Sequence, residues 1–240
     1  MSTSVVERED SGSGALTGQV IAAVTAHIHA NHLAPGDQLP SETALAAQLG
    51  VSRTVVREAF GSMAALRLID VGTGRRARVS AIDRSVLALV LDHAVHTDQI
   101  SVQQILDVRR TIELRTAALA ALRRDAADAA RITALAVAMR EDFADAQRVM
   151  EHDIAFHETI ARTSKNPMFA LIVGSFHVVT RQTWPVGWNS RANDAERWHM
   201  IEGHEAIAAA VATGDPRAAG SAMAAHFDYS VKALVAAGIT

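Results

Sequence analysis

Around Gly50 the chain leaves itself few ways to fold. In "SETALAAQLGVSRTVVREAF" the apolar residues Leu45 and Leu49 recur at helical spacing and stop at glycine. Ser41 before them and Ser52 after the break are both of the type that caps a helix N-terminus. The second helix runs to about Leu66, with Val56, Ala59, Phe60 and Met63 as its inner face. Ala46, small and four residues before the glycine, lets the two helices approach. A helix, a tight glycine turn and a second helix, with apolar anchors on both sides, is the pattern of a helix-turn-helix.

Arg53 and Arg57 lie one turn apart, opposite that inner face. A core helix has no use for them, whereas a helix that enters a major groove presents its N-terminal residues to bases and phosphates. Ser52, Arg53, Thr54 and Arg57 are therefore the expected DNA contacts. A solvated helix with two arginines is the alternative reading of the pair alone. "RLIDVGTGRRARVSAI" then reads as two short strands around a Gly-Thr-Gly turn, a wing whose tip Thr73, Gly74 and Arg75 would reach the minor groove or backbone. Between Asp37 and Ser80 six arginines face four acids, a local excess of +2 in a chain of net charge −3.

The wing is expected to end the first domain, residues 15–80, with a helix from Leu16 to about Ala30 at its start. Residues 1–14, rich in Ser, Gly and charge, are expected to be a disordered tail. Residues 81–240 read as an all-α bundle of about seven helices, near 83–96, 101–124, 126–146, 149–163, 167–184, 191–213 and 215–237, with Asn166-Pro167 a firm helix start. The fold class is thus mainly α. A 4% aromatic content in a half-hydrophobic chain favours close-packed helices. The chain has no cysteine, which excludes disulfides and thiolate metal sites. No apolar run approaches the roughly 20 residues needed to span a bilayer, and the N-terminus lacks the marks of a signal peptide. The expectation is a cytoplasmic protein with no membrane partner.

Within the bundle, Asp153 and His157 share one helix face in "EHDIAFHETI". His204 and His226 each sit among apolar residues at helical spacing. Three helices could aim these four groups at one point, and one carboxylate with three imidazoles suits Zn2+, with Ni2+ or Mn2+ as alternatives. Separate hydrogen-bonded core histidines are the competing reading. Arg109 lies between Ile105 and Ile112 on an inner stripe. A buried arginine needs an anion, which Glu113 one turn on or an effector carboxylate would supply. Asn166, His177, Arg181 and Trp184 are further candidates for the effector pocket.

"PGDQLPSETALAAQLGVSRTVVREAF" resembles the winged helix-turn-helix of the GntR superfamily of bacterial transcription regulators. "DIAFHETIARTSKNPMF", "EGHEAIAAAVATGD" and "AAGSAMAAHF" resemble the FCD ligand-binding domain of its FadR-type subfamily. The resemblance implies that Arg53, Thr54 and Arg57 touch operator DNA. It also implies that Asp153, His157, His204 and His226 hold a divalent metal, and that Arg109 receives a small organic acid, whether hydroxy, keto, di-acid or sugar acid. A homodimer is expected because one recognition helix reads too few base pairs for specificity, and repression released by the effector follows from the same likeness. Asp107 replaces the first Glu of the family's Glu-x-Arg-x-x-x-Glu pattern around Arg109, and the winged helix departs from the family pattern at two places. Thr43 stands where a basic residue is usual after Ser-Glu, and the wing reads Gly74-Arg75-Arg76-Ala77, which bears on operator preference. Two rivals remain. One is a metal-dependent hydrolase or lyase using the Asp/His site, although no catalytic motif is found. The other is a metal-free, fatty-acyl-responsive regulator, which the four intact ligands oppose. The expectation is a regulator and not an enzyme.

Overall fold

Two units divide the chain, Met1–Val86 and Leu87–Thr240, in a computed structural model that describes residues 6–239. In the first, α1 (Val6–Ala30) lays Val20 and Val24 into a core shared with α2 (Glu42–Leu49) and α3 (Arg53–Ala65). Val56, Ala59, Phe60 and Met63 of α3 are buried there, together with Leu39, Leu45 and Ile69. The helix boundaries have local causes. The Ser41 hydroxyl accepts from the Ala44 N–H at 3.2 Å, and that of Ser52 from Val55 at 3.3 Å. Gly50 takes φ +69° and ψ +28°, and its N–H bonds back to the Ala46 carbonyl, closing α2.

The wing is an antiparallel pair, β1 (Ile69–Gly72) and β2 (Arg75–Val79), with Gly72 opposite Arg75 across a Thr73-Gly74 turn. Gly74 adopts φ +73° in that turn. The segment after Pro35 adds a third rung: Leu39 N–H bonds the Ala77 carbonyl at 2.9 Å, and Val79 N–H that of Asp37 at 3.0 Å. The prolines that mark a break in the sequence thus frame a short edge pairing.

The disordered tail expected over residues 1–14 is corrected for its described part, since α1 starts at Val6; residues 1–5 lie outside the described residues. No proline precedes Pro35, so nothing in this stretch removes a donor from the ladder. Each glycine costs a helix only about 1 kcal/mol.

The second unit is helical, from α4 (Ser85–His96) at its boundary through α5 (Val102–Arg123), α6 (Ala126–Glu141), α7 (Ala146–Thr163), α8 (Pro167–Ser175), α9 (His177–Ser190), α10 (Asp194–Thr213) and α11 (Pro216–Ala236). Ser101 and Asp125 close capping boxes with Gln104 and Asp128, and Asp145, Asn166, Asn193 and Asp215 cap the helices after them. Helix α5 packs on α11 and α7, and α10 on α11 and α6. The core between them is rich in alanine, with Ile132, Met139, Phe156, Ile201, Ile207 and Met223 as its larger members. Small residues let these helix axes come close.

Where seven helices are expected, eight form, and the difference lies in one stretch. The expected helix 167–184 divides at Phe176, whose N–H bonds Val173 three residues back rather than four. The Ser175 hydroxyl and the His177 ring meanwhile engage the carbonyls of Ile172 and Gly174. The expected break at Pro185 does not occur. Pro185 lies on the exposed side of α9, where water can satisfy the carbonyl that loses its donor.

Gly50→Ala tests the helix-turn-helix directly. Nothing lies within 4 Å of an added Cβ at Gly50, so the cost is the left-handed backbone alone, about 1–2 kcal/mol. Denaturant unfolding of the first unit should show that loss without a change in slope. An unchanged midpoint would mean that the turn does not depend on glycine.

Candidate metal centre and nucleic-acid interface

Three apolar helix stripes turn the polar cluster inward. Helix α7 buries Val149, Phe156 and Ile160, α10 buries Met200, Ile201 and Ile207, and α11 buries Met223 and Phe227. Asp153 and His157, one turn apart on α7, share that inward direction with His204 on α10 and His226 on α11. One ligand atom from each of the four lies within 4.8 Å of the others. All four are buried, His204 completely.

Hydrogen bonds orient the rings. His204 Nδ1 meets the Met200 carbonyl at 2.9 Å, which leaves Nε2 facing Asp153 Oδ1 at 2.7 Å. His157 Nδ1 is bonded to Glu113 Oε2, and its Nε2 lies 4.0 Å from the same Asp153 oxygen. Histidines held at Nδ1, with Nε2 turned toward a shared carboxylate, are oriented as metal-ligating histidines are. His226 completes the group, its ring centroid 4.4 Å from that of His204 and 5.1 Å from that of His157.

Electrostatics reinforce the geometry. Burial disfavours charge on Asp153, yet the His204 hydrogen bond and the surrounding imidazoles hold its carboxyl well below the usual range. Burial also opposes charge on Glu113, and Arg109 and His157 overcome it, so its pKa is lowered. For His157, burial works against protonation, but the Glu113 carboxylate prevails and raises the pKa. Burial and then the neighbouring His204 and His157 push His226 well below an ordinary histidine, toward the neutral form that ligates. One carboxylate and three imidazoles, buried and convergent, fit a divalent ion.

A cavity opens beside this cluster. Arg109, Asp153, His157 and His226 line it, with Trp184 and Thr180. Arg109 is 9% exposed; its Nε donates to Glu113 Oε1 at 2.8 Å and a terminal nitrogen donates to Thr180 Oγ1 at 2.7 Å. The internal pair with Glu113 is formed, and the guanidinium still faces the cavity.

Three expected pocket residues are not brought there, and each has another task. Asn166 caps α8, its side chain accepting from Met168 N–H at 3.0 Å. His177 bonds the Gly174 carbonyl at 2.8 Å where α8 meets α9. Arg181 pairs with Glu151 at a half-exposed position, one contact being 2.6 Å. Lining residues that sequence reasoning missed include Arg191, Thr183 and Ser230. Spacing gave no signal for Arg191, which follows the last turn of α9.

In the first unit, Arg53, Thr54 and Arg57 are exposed on the first turns of α3, and Ser52 caps it. A groove is lined by Arg53 and Arg57 on one side and by Thr73, Gly74, Arg75 and Arg76 of the wing on the other. Thr43 lines it as well. Arg57 pairs with Glu42 at 3.5 Å and Arg75 with Asp70 at 2.8 Å. Both arginines are exposed, so each pair is weak enough for a phosphate to displace.

A winged helix-turn-helix followed by an all-α domain with a buried polar cavity defines a DNA-binding transcription regulator with a separate regulatory domain. Residues 16–79 match the family described as bacterial regulatory proteins, gntR family, and residues 104–229 match the FCD domain. The chain belongs to the GntR family and carries an FCD domain. The HTH-type transcriptional regulator LutR of Bacillus subtilis (strain 168) is 33% identical over 198 residues, spanning 81% of this chain and 90% of that protein. The galactonate operon transcriptional repressor of Escherichia coli (strain K12) is 26% identical over 213 residues, spanning 86% and 91%. The solved structure of Streptococcus agalactiae GntR shares the fold with a TM-score of 0.58, at 22% identity over 88% of this chain and 97% of that one. No helix among the described residues is long and apolar enough to cross a membrane.

Proposed function

We propose that this regulator is a metal-dependent repressor that leaves its operator when a small organic acid binds. The observation that carries the reading is the shared cavity, lined at once by three of the four candidate ligands and by Arg109. Asp153, His157, His204 and His226 would hold the ion. Zn2+ is favoured, because a donor set of three nitrogens and one oxygen with no thiolate suits it, and Ni2+ and Mn2+ are the alternatives. Once bound, the ion supplies a Lewis-acidic positive charge to which carboxylate or hydroxyl oxygens can coordinate. Arg109 would orient the acid beside it through a charge-assisted contact.

Repression and a sugar acid or other hydroxy acid as effector are supported by the name of the galactonate operon repressor, which matches along most of its length. Dimerisation follows from DNA geometry, since one recognition helix reads too few base pairs for specificity. Operator binding in turn implies a cytoplasmic protein. We read the cluster as a sensor and not a catalytic centre, in keeping with the family.

The test is a titration on DNA flanking the coding sequence, followed by anisotropy at fixed salt. Arg53→Ala or Arg57→Ala should weaken binding by about 1–3 kcal/mol where a bidentate base contact is lost, with the bundle still folded. A panel of hydroxy, keto and sugar acids added to the wild-type complex with Zn2+ should contain a member that releases DNA. By reciprocity the operator must weaken that acid by the same factor, a coupling of about 1–3 kcal/mol. If no acid changes operator affinity with the metal present, the sensor reading fails.

A further inference from the structure

Arg191 is the cavity arginine that no carboxylate holds in an ion pair among the described residues. It follows α9, is 7% exposed and lines the cavity with Arg109 and the Asp/His cluster. One terminal nitrogen donates to the Gly187 carbonyl at 2.6 Å. Its Nε is buried with no hydrogen-bond partner. The guanidinium lies 5.3 Å from the Tyr229 ring centroid, a neutral neighbour. Among the described residues no carboxylate forms an ion pair with it, whereas Arg109 has Glu113. Burial lowers its pKa from the usual arginine value, outweighing the opposite pull of Tyr229, Asp153 and Glu196. An unpaired buried cation is costly, and an arriving anion removes that cost.

Charge in the enclosed region leads the same way. Arg109 and Arg191 are balanced there by Asp153 and Glu113, all four of them buried. A divalent ion would then add two positive charges. A single carboxylate answers one of them; a ligand with two answers both. Hydroxyl groups of Thr180, Thr183 and Ser230 line the same cavity.

The geometry points to Arg191 as a second anion anchor, making the cavity selective for a short dicarboxylic acid with one carboxylate at the Asp/His cluster and the other on this guanidinium. This rests on the metal-and-carboxylate reading above, and narrows it from organic acids in general to dianions.

The test is calorimetric titration of full-length, Zn2+-loaded protein with matched pairs: succinate and butyrate, malate and 2-hydroxybutyrate, glutarate and valerate, galactarate and galactonate. Wild type should bind a dianion about 10- to 100-fold more tightly than its one-carboxylate partner, the worth of one hydrogen bond to a charged group. Arg191→Met, which keeps the volume, should abolish that preference and leave the monoacid affinity within about twofold. Arg191→Lys should retain part of it, since the charge stays and the fork is lost. If wild type shows no preference, or either variant preserves it in full, the assignment of Arg191 falls while the metal-and-carboxylate reading stands. If no acid binds the loaded protein, both fall. Should Arg191→Met not fold, Arg191→Lys carries the same test.

Discussion

Glu113→Ala is expected to cost about 3–5 kcal/mol of folding stability, the penalty for stranding a buried charge. Glu113 is 1% exposed, and its two oxygens serve two partners: Oε1 accepts from Arg109 Nε at 2.8 Å, and Oε2 is bonded to His157 Nδ1. Without the carboxylate, Arg109 keeps Thr180 but has no counter-charge. His157 also loses the group that holds Nε2 toward the cluster, so metal affinity should fall by about 10- to 100-fold. Arg110→Ala is the control. Arg110 pairs with Asp228 at 2.8 Å, at a position where both side chains are exposed, and such pairs are worth about 0–1 kcal/mol. Urea unfolding of the two variants beside wild type measures the difference. If Glu113→Ala lies within 1 kcal/mol of wild type, the buried network is not what holds α5 to α7.

His204→Ala is expected to abolish the stabilisation of the protein by metal. An ion that binds only the folded state stabilises it by about 4 kcal/mol when present at a thousandfold excess over its dissociation constant. Wild type should therefore melt well above its chelator-treated form. His204 offers Nε2 to the centre, is fully buried and contacts Asp153 directly, so its loss removes a ligand that no solvent-side group can replace. Deleting the ring also leaves a void, which lowers the melting point on its own. The informative quantity is accordingly the gap between Zn2+-loaded and chelated samples, large in wild type and absent in the variant. Elemental analysis should find about one ion per chain in wild type. If loaded and chelated wild type melt together, the four residues are a hydrogen-bonded core group and nothing more.

Much of the first unit is legible in the sequence because its determinants are local. Ser41, Gly50 and Ser52 act on backbone groups within three or four residues of themselves, and Gly74 shapes the turn it sits in. The third rung of the wing was not legible, since Leu39 and Ala77 are far apart in the chain and two prolines read only as a break. In the bundle, the start of α8 followed from its Asn166-Pro167 cap. The division at Phe176 did not, because it depends on side chains bonding carbonyls one turn back.

The site divides along the same line. From the sequence alone come the face shared by Asp153 and His157, the inward placing of Arg109 at its apolar spacing, and Glu113 as one of its two candidate partners. Only the tertiary structure decides that α7, α10 and α11 bring four ligand atoms within 4.8 Å. It alone shows that Glu113 serves His157 as well as Arg109, that Asn166, His177 and Arg181 are spent elsewhere, and that Arg191 enters the cavity. The reason is physical. Helical periodicity states which residues share a face and, through the apolar ones, that the face turns inward. It carries nothing about the rotation and depth at which three such faces meet, because those are set by how alanine-rich ridges settle into one another across the whole bundle.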